Sequence, residues 1–294
     1  MSATPAGLTW RRLWDDTAAQ VGSRAEARWL CEEASGAFGG EFGDVLDEPA
    51  TDRMLAHLDA MLGRYAVGEP LQYVLGHWAF RRLDLMVDRR VLIPRPETEL
   101  VAEVALAAAA DLLATAGPGT VLRAADLGTG SGALGLSLAF ELARGRTEVW
   151  LTDVSADALD VARANAAGIG IAGGGVRFAE GSWWDALPPA LRGQLDLVVC
   201  NPPYIAAGDP DVAASVEEWE PHGALYAGAD GLDALRVLAD GASAWLRPGG
   251  WLVMEIGAGQ RDAVSGLLRD GGLADVEVRA DLAGRDRIAI ARRP

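Results

Sequence analysis

From Gly119 to the C-terminus short apolar runs alternate with helix-forming stretches, and this alternation leaves few folds open. Strands are expected over 121–126, 148–153, 176–179 and 195–200, with helices over 133–143 and 156–167. A helix over 232–246, a strand over 251–256, a helix reaching residue 268 and two β-like stretches, 274–278 and 287–291, follow. Such repetition builds a mainly parallel sheet covered by helices on both faces, because a parallel crossover needs a helix's length of chain. The last two stretches have no helix between them, so they are expected to pair antiparallel at the sheet's edge. The pattern reads as an α/β fold.

Ahead of this region the periodicity differs. Apolar residues recur at helical spacing in Leu8, Leu13 and Trp14, in Ala27, Trp29 and Leu30, and in Met54, Leu55, Leu58, Met61 and Leu62, which predicts a small helical bundle. Between Gln72 and Leu92 the runs shorten to Tyr73-Val74-Leu75, Trp78-Ala79-Phe80 and Leu83-Asp84-Leu85-Met86-Val87, read as a β-hairpin linker. Pro94 and Pro96 frame a stiff turn before a stretch, 97–114, rich in strong helix formers. With 294 residues the chain exceeds one small core. The expected division is a helical domain over 1–70, the linker over 71–95 and the α/β domain over 96–294.

Charge narrows the choice of partner. Lys+Arg 26 against Asp+Glu 42 gives a formal −16, a mean field that repels a polyphosphate backbone. Arg81, Arg82, Arg89 and Arg90 form a tight basic grouping, read as a solvated hairpin surface with no binding role. Cys31 and Cys200 lie far apart without metal-type spacing, which fits buried free thiols in a reduced cytoplasmic protein, and no metal is expected. The first sixteen residues lack the apolar core of a signal peptide, and Glu103 and Asp111 interrupt the Ala-rich run over 101–114, so neither export nor a membrane span is expected.

After the first strand of the sheet comes Asp126-Leu127-Gly128-Thr129-Gly130-Ser131-Gly132-Ala133, with a helix following at once. Glycines at 128, 130 and 132 let the backbone turn tightly and approach a ligand where a side chain would collide. The spacing also satisfies the dinucleotide patterns G-x-G-x-x-A and, from Gly130 to Gly135, G-x-G-x-x-G, so the loop alone leaves the nucleotide open. Asp153, closing the second strand, suits ribose hydroxyls in either site, or helps cap the next helix. Asp126 favours S-adenosylmethionine over NAD, since a carboxylate at the turn attracts a sulfonium or ammonium and repels a pyrophosphate. Ser182-Trp183-Trp184 places aromatic rings where an adenine could stack, unless the tryptophans are core packing.

Directly after the apolar strand over 195–200 stands Asn201-Pro202-Pro203-Tyr204, at a carboxyl end where open parallel sheets bind ligands. Pro202 keeps Asn201 out of the helical region, and Pro203 does the same to Pro202, so the Asn amide and the Pro202 carbonyl hold a fixed orientation. Two acceptors can then face one planar NH₂ group. An amide or aromatic amine is a poor nucleophile because its lone pair is delocalised. Acceptors for both its hydrogens favour pyramidalisation and aim the lone pair at a methyl carbon. Tyr204 can lie against the flat group and exclude water. The bland alternative is a proline-rich turn with a structural Asn.

These motifs together resemble the protein-(glutamine-N5) methyltransferase family of peptide-chain release factors, over nearly the whole chain. The most specific piece is Leu92-Ile93-Pro94-Arg95-Pro96-Glu97-Thr98-Glu99, joined by Gln72-Tyr73-Val74-Leu75-Gly76, Asp126 to Gly132, Asn201 to Tyr204, Glu220-Pro221 and Ala224-Leu225. The resemblance implies a class I methyltransferase Rossmann-like sheet, mostly parallel with an antiparallel edge pair, joined by the hairpin linker to an N-terminal helical domain that helps grip the substrate. It implies that Gly128, Thr129, Gly130, Ser131, Gly132, Asp153 and Trp183, with Asp126 and Asn201 beside them, bind S-adenosylmethionine. Asn201, Pro202, Pro203 and Tyr204 would hold the glutamine of a release factor's Gly-Gly-Gln loop. A release factor is the implied partner, without nucleic acid or membrane, and a monomer the expected state. Ser182 departs from the acid often found there, and Arg81-Arg82 from the usual aromatic-glycine pair.

Rival readings share parts of this set. An adenine-N6 or ribosomal-RNA methyltransferase would use the same tetrapeptide on a flipped base, but it predicts a basic groove or target-reading domain, and neither is apparent in the sequence. A nicotinamide-dependent oxidoreductase rests on the glycine loop alone, with no evident acid among His57, His77 and His222. A silent binding protein would leave the tetrapeptide unexplained.

Overall fold

The computed structural model describes residues 8–117, 119–142 and 145–294, with the backbone alone at 171–173. Residues 1–7, the expected start of the helical domain, and Ala143, the expected end of a helix, lie outside the described residues. The chain forms two compact units, one ending at His77 and the other beginning at Trp78.

In the first unit α1 (Trp10–Val21), α2 (Arg24–Ser35), α3 (Gly40–Asp44), α4 (Asp52–Ala66) and α5 (Leu71–Leu75) surround one apolar core. Local signals set their limits. Gly22, at φ 74°, ends α1, and the Ser23 hydroxyl then accepts the Glu26 N–H to start α2. Thr51 caps α4 in the same way through the Met54 N–H. Trp10 and Trp14 pack edge-on to Phe42, over Leu30, Leu58 and Met61. The expected extended run at 73–75 is instead the short helix α5. A three-residue apolar run fits either period, and tertiary contacts decide it. Tyr73 and Val74 are buried, the Arg64 guanidinium donates to their carbonyls at 2.7 and 3.1 Å, and Gly76 at φ 83° ends the turn.

The boundary falls after the first residue of a hairpin, β1 (His77–Phe80) and β2 (Leu83–Met86). Its turn residue Arg81 has φ 52° and is not a solvated charge. The guanidinium is bidentate to Glu141 at 2.6 and 3.0 Å and donates to the Glu99 carbonyl. Arg82 lies over Phe140, Arg89 over Trp219, and Arg90 pairs with Asp88. Arg81 is therefore a pairing group, held by a carboxylate within its reach, whereas Arg82, Arg89 and Arg90 are exposed as expected, and Arg90 also lines the cavity described below.

After α6 (Pro96–Thr115) come β3 (Leu122–Leu127), α7 (Ala133–Glu141), β4 (Thr147–Asp153), α8 (Ala156–Ile169), β5 (Val176–Glu180) and β6 (Leu195–Cys200). Then follow α9 (Ala214–Trp219), α10 (Asp233–Trp245), β7 (Leu246–Glu255), α11 (Arg261–Asp270), β8 (Ala274–Ala280) and β9 (Asp286–Arg292). The sheet runs in the order β5-β4-β3-β6-β7-β9-β8, parallel except that β9 is antiparallel to both its neighbours. The antiparallel pair at the edge is as expected, and the chain's last strand is its inner member. One face packs α6 and α7 through Val101, Ala102, Ala105, Leu134 and Leu138, and the other packs α10 and α11 through Leu235, Leu238, Trp245 and Leu268. Cys31 and Cys200 are buried free thiols. Among the described residues no helix is long and apolar enough to cross a membrane.

Chain order reverses beside β3, which has β4 on one side and β6 on the other. At such a switch point the loops at the strands' carboxyl ends diverge and leave a crevice.

Candidate active site

A cavity of ≈ 240 Å³ lies at that switch point. Its walls come from the glycine loop after β3, from Asp153 at the end of β4, from Trp183, from Asn201 and Pro203 after β6, and from Leu92, Pro94 and Thr98 leading into α6. Polar residues stand at the carboxyl ends of the central strands: Asp126 one residue before the end of β3, Asp153 at the end of β4, Asn201 just beyond β6 and Glu255 at the end of β7.

Two glycines of the loop serve different ends. Gly128 has φ 73°, and a Cβ there would lie 3.2 Å from the Trp183 ring, so its absence lets the ring close over the loop. Gly132, at φ 89°, does not line the cavity; a Cβ there would sit 2.6 Å from Leu136 Cδ1, so this glycine serves the join of loop to α7. Gly128, Thr129, Gly130 and Ser131 all line the cavity. Asn165 braces the loop from behind, donating to the Ser131 carbonyl at 2.8 Å while exchanging hydrogen bonds with the Met86 backbone.

Asp126 is buried, and its Oδ2 accepts from the Thr129 hydroxyl at 2.6 Å and the Gly135 N–H at 2.8 Å. Its Oδ1 is buried without a partner. Burial pushes this carboxyl up to about 6, against the pull of those two hydrogen bonds. An orphaned carboxylate oxygen on a residue that lines a cavity is an acceptor awaiting a donor, and a cationic one satisfies it best.

Asp153 has both oxygens engaged, Oδ2 by the Gly130 N–H and Oδ1 by the Ser155 N–H, each at 2.9 Å. Each oxygen keeps a second lone pair, so a ligand hydroxyl can still be accepted. Helix α8 is capped by the Ser155 hydroxyl, leaving Asp153 to the loop. The tryptophan pair divides its labour. Trp183, at φ 47°, lines the cavity beside Ser182, whereas Trp184 is buried, donates to the Val237 carbonyl at 2.9 Å and stacks on Trp245.

Asn201 Nδ2 donates to Thr98 Oγ1 at 3.1 Å, the Thr98 hydroxyl donates to Glu255 Oε2 at 2.6 Å, and the Tyr204 hydroxyl donates to Glu255 Oε1 at 3.0 Å. Gln260 donates to the Tyr204 carbonyl at 3.0 Å. Burial and the adjacent Glu255 carboxylate push the Tyr204 phenol upward, so it stays neutral and a donor. Of the tetrapeptide, Asn201 and Pro203 line the cavity; Pro202 is buried, and Pro202 and Tyr204 are not among the described lining residues. A second carboxylate, Glu220, accepts the Ile93 N–H at 3.1 Å and pairs with Arg95, which pins the Pro94-Arg95-Pro96 turn.

Sequence reasoning assigned no role to Thr98, Glu220, Glu255, Arg95 or Asn165. Glu255 left a usable signal, an acid directly after the apolar run Trp251-Leu252-Val253-Met254, whereas the partners of Thr98 and Asn165 show only in three dimensions.

Residues 102–218 match the family described as Methyltransferase small domain, and residues 18–76 match the PrmC N-terminal domain. The chain is 44% identical over 248 residues to the Release factor glutamine methyltransferase of Xylella fastidiosa (strain 9a5c), covering 84% of this chain and 85% of that protein. It is 42% identical over 266 residues to the Release factor glutamine methyltransferase of Bordetella pertussis, covering 90% and 93%. Among solved structures, the hMettl16 catalytic domain in complex with MAT2A 3'UTR hairpin 6 has a TM-score of 0.51 at 16% identity, over 83% of this chain and 82% of that one, a likeness of fold alone.

Proposed function

The chain belongs to the release factor glutamine methyltransferase family, and from that premise we propose that it transfers a methyl group from S-adenosylmethionine to the side-chain amide nitrogen of the glutamine in a release factor's Gly-Gly-Gln loop. The observation that carries this reading is the Asn201 amide, tied through its NH₂ to Thr98 on the wall that faces the glycine loop.

Bound S-adenosylmethionine supplies an electrophilic methyl group on a sulfonium. Asp126 Oδ1, otherwise without a partner, accepts from its ammonium group. Asp153 accepts a ribose hydroxyl with a remaining lone pair, Gly128, Thr129, Gly130 and Ser131 let the ligand lie close to backbone, and Trp183 with Ser182 flanks the adenine.

Asn201 Oδ1 is the atom of its amide left for the substrate, and it accepts one hydrogen of the target NH₂ while the Pro202 carbonyl accepts the other. The nitrogen's lone pair then points at the methyl carbon: as the N–C bond forms the C–S bond would break, S-adenosylhomocysteine would leave with the sulfur's electron pair, and the methylated nitrogen would release one of its two protons to solvent, so positioning and electrostatics do the catalysis without a strong base. Pro203 and Tyr204 form the side of the site that keeps the flat amide from rotating. The helical unit contacts the protein substrate, and the reaction belongs to the cytoplasm.

The test incubates purified protein and methyl-labelled S-adenosylmethionine with a release factor, with its Gln-to-Ala loop variant, with duplex DNA and with ribosomal RNA. Label on the intact factor alone is the expected result. Label on nucleic acid, or on the Gln-to-Ala variant, overturns the substrate assignment.

A further inference from the structure

An asparagine side chain is nearly symmetric in shape and opposite in polarity at its two ends, so something must fix which end meets the substrate. The tetrapeptide does not do this by itself, since a turn sets backbone angles and leaves the amide free to rotate by half a turn. Resting on the function proposed above, we propose that Glu255, acting through Thr98, is a positioning group that locks Asn201 with its oxygen toward the substrate amide.

Glu255 sits at the end of β7, 1% exposed, and two hydroxyls converge on its two oxygens. Burial pushes the Glu255 carboxyl upward, and the hydrogen bonds from Thr98 and Tyr204 and the charge of Arg287 oppose that push; in its ionised form the carboxylate only accepts, so both hydroxyls spend their single hydrogen on it. The 2.6 Å contact from Thr98 falls in the charge-assisted range. Thr98 Oγ1 then has lone pairs alone to offer to Asn201, which answers with its NH₂ at 3.1 Å. The carboxylate's polarity thus passes through one hydroxyl and emerges as an acceptor at Asn201 Oδ1. Tyr204 is tied to the same carboxylate, so one buried charge orients two residues of the tetrapeptide.

Glu255→Gln keeps shape and volume and alters polarity alone. A glutamine has one acceptor oxygen for two hydroxyls, and its NH₂ can donate to Thr98 Oγ1, which frees the Thr98 hydrogen to meet Asn201 Oδ1 and turn the amide round. The measurement is kcat and KM for methylation of a release factor, with calorimetric affinity for S-adenosylmethionine and thermal melting on the same samples. Glu255→Gln is expected to lower kcat roughly 10- to 100-fold while cofactor affinity stays within a few-fold. Thr98→Val, which cannot pass the polarity on, is expected to show the same pattern, and Thr98→Ser, which can, to retain most of the kcat that the valine loses. The double variant Thr98→Val/Glu255→Gln should be no worse than the poorer single variant, because both break one relay.

Undiminished kcat in Glu255→Gln overturns the relay, as does a serine as damaging as the valine or a double variant whose losses multiply. If Glu255→Gln fails to fold, the Thr98 pair decides the matter without it. A wild-type protein that labels no glutamine removes the proposed function and this inference together, whereas an active wild type with an equally active Glu255→Gln removes the inference alone.

Discussion

The two walls of the cavity are held by contacts of different reach. On the β3–β4 side Asp126 is bound by residues three and nine positions along, and the Asp153 carboxylate by backbone N–H groups of Gly130 and Ser155. On the β6–β7 side Asn201 hangs from Thr98 across 103 positions, Thr98 from Glu255 across 157, and Tyr204 from Glu255 across 51. Turns and strand ends set the carboxylates of the first wall, with Asn165 bracing its loop across 34 positions, while the side-chain ties of the second all span 51 positions or more and form only when the sheet closes. Separate supports imply separable functions, with cofactor binding on one wall and methyl transfer on the other.

The largest effect tests that separation directly. Asn201→Ala removes the acceptor from the second wall and should lower kcat by roughly 10²- to 10³-fold, the cost of one oriented hydrogen-bonding group in a transition state. Cofactor affinity, measured by calorimetry, should stay nearly unchanged. Equal loss of both would show the walls to be one unit.

Asp126→Asn should act in the opposite sense, weakening S-adenosylmethionine by up to about 3 kcal/mol, a charge-assisted hydrogen bond's worth, with kcat at saturation largely kept. It also carries a stability signature. Burial lifts the folded-state carboxyl from 3.8 to about 6, so the native protein holds this proton more tightly than the unfolded chain does. The ionised group therefore detracts from the stability of the cofactor-free protein above about pH 6, by at most about 3 kcal/mol, and the deficit is relieved as pH falls toward 4. Cofactor-free Asp126→Asn should melt higher than wild type at pH 7.5 and lose the advantage near pH 4. A variant that melts lower at pH 7.5 would make Asp126 a structural acid.

Asp153→Ala is the next smaller change. It should cost about 1.5 kcal/mol of cofactor affinity through a lost hydroxyl contact, and unaltered affinity would withdraw Asp153 from the ribose.

The same difference in reach explains what the sequence made legible. Asp126, the glycines and Asp153 sit within 28 consecutive residues, where strand, turn and helix signals fix their relative placement before any packing is known. The tetrapeptide was legible for a related reason, two consecutive prolines behind an apolar strand. Glu255 and Thr98 were not, because no local rule connects a residue near the start of α6 with one at the end of β7; only the sheet order and the packing of α6 on β6 and β7 bring them together. The run 73–75 misled for the converse reason, as three apolar residues carry too little periodicity to separate strand from helix, and Arg64 decided the matter from ten positions away. Arg81 misled because a charge on a hairpin is usually solvated, as Arg82, Arg89 and Arg90 are, and nothing local showed Glu141 to be within reach.

The smallest effect asks whether binding and packing separate even between adjacent residues. Trp183 lines the cavity, while Trp184 points into the core, where its Nε1 donates to the Val237 carbonyl and its ring stacks on Trp245. Trp184→Phe keeps an aromatic ring and loses the donor, so it should cost about 1 kcal/mol and lower Tm by roughly 2–4 °C for a unit of this size. Calorimetry should find S-adenosylmethionine affinity unchanged, because the left-handed turn at Trp183, at φ 47°, sends the two rings to different surroundings. A drop in affinity alongside the drop in Tm would mean that Trp184 steadies the ring of Trp183, and that the cofactor wall depends on the packing of α10 as much as the transfer wall depends on that of α6.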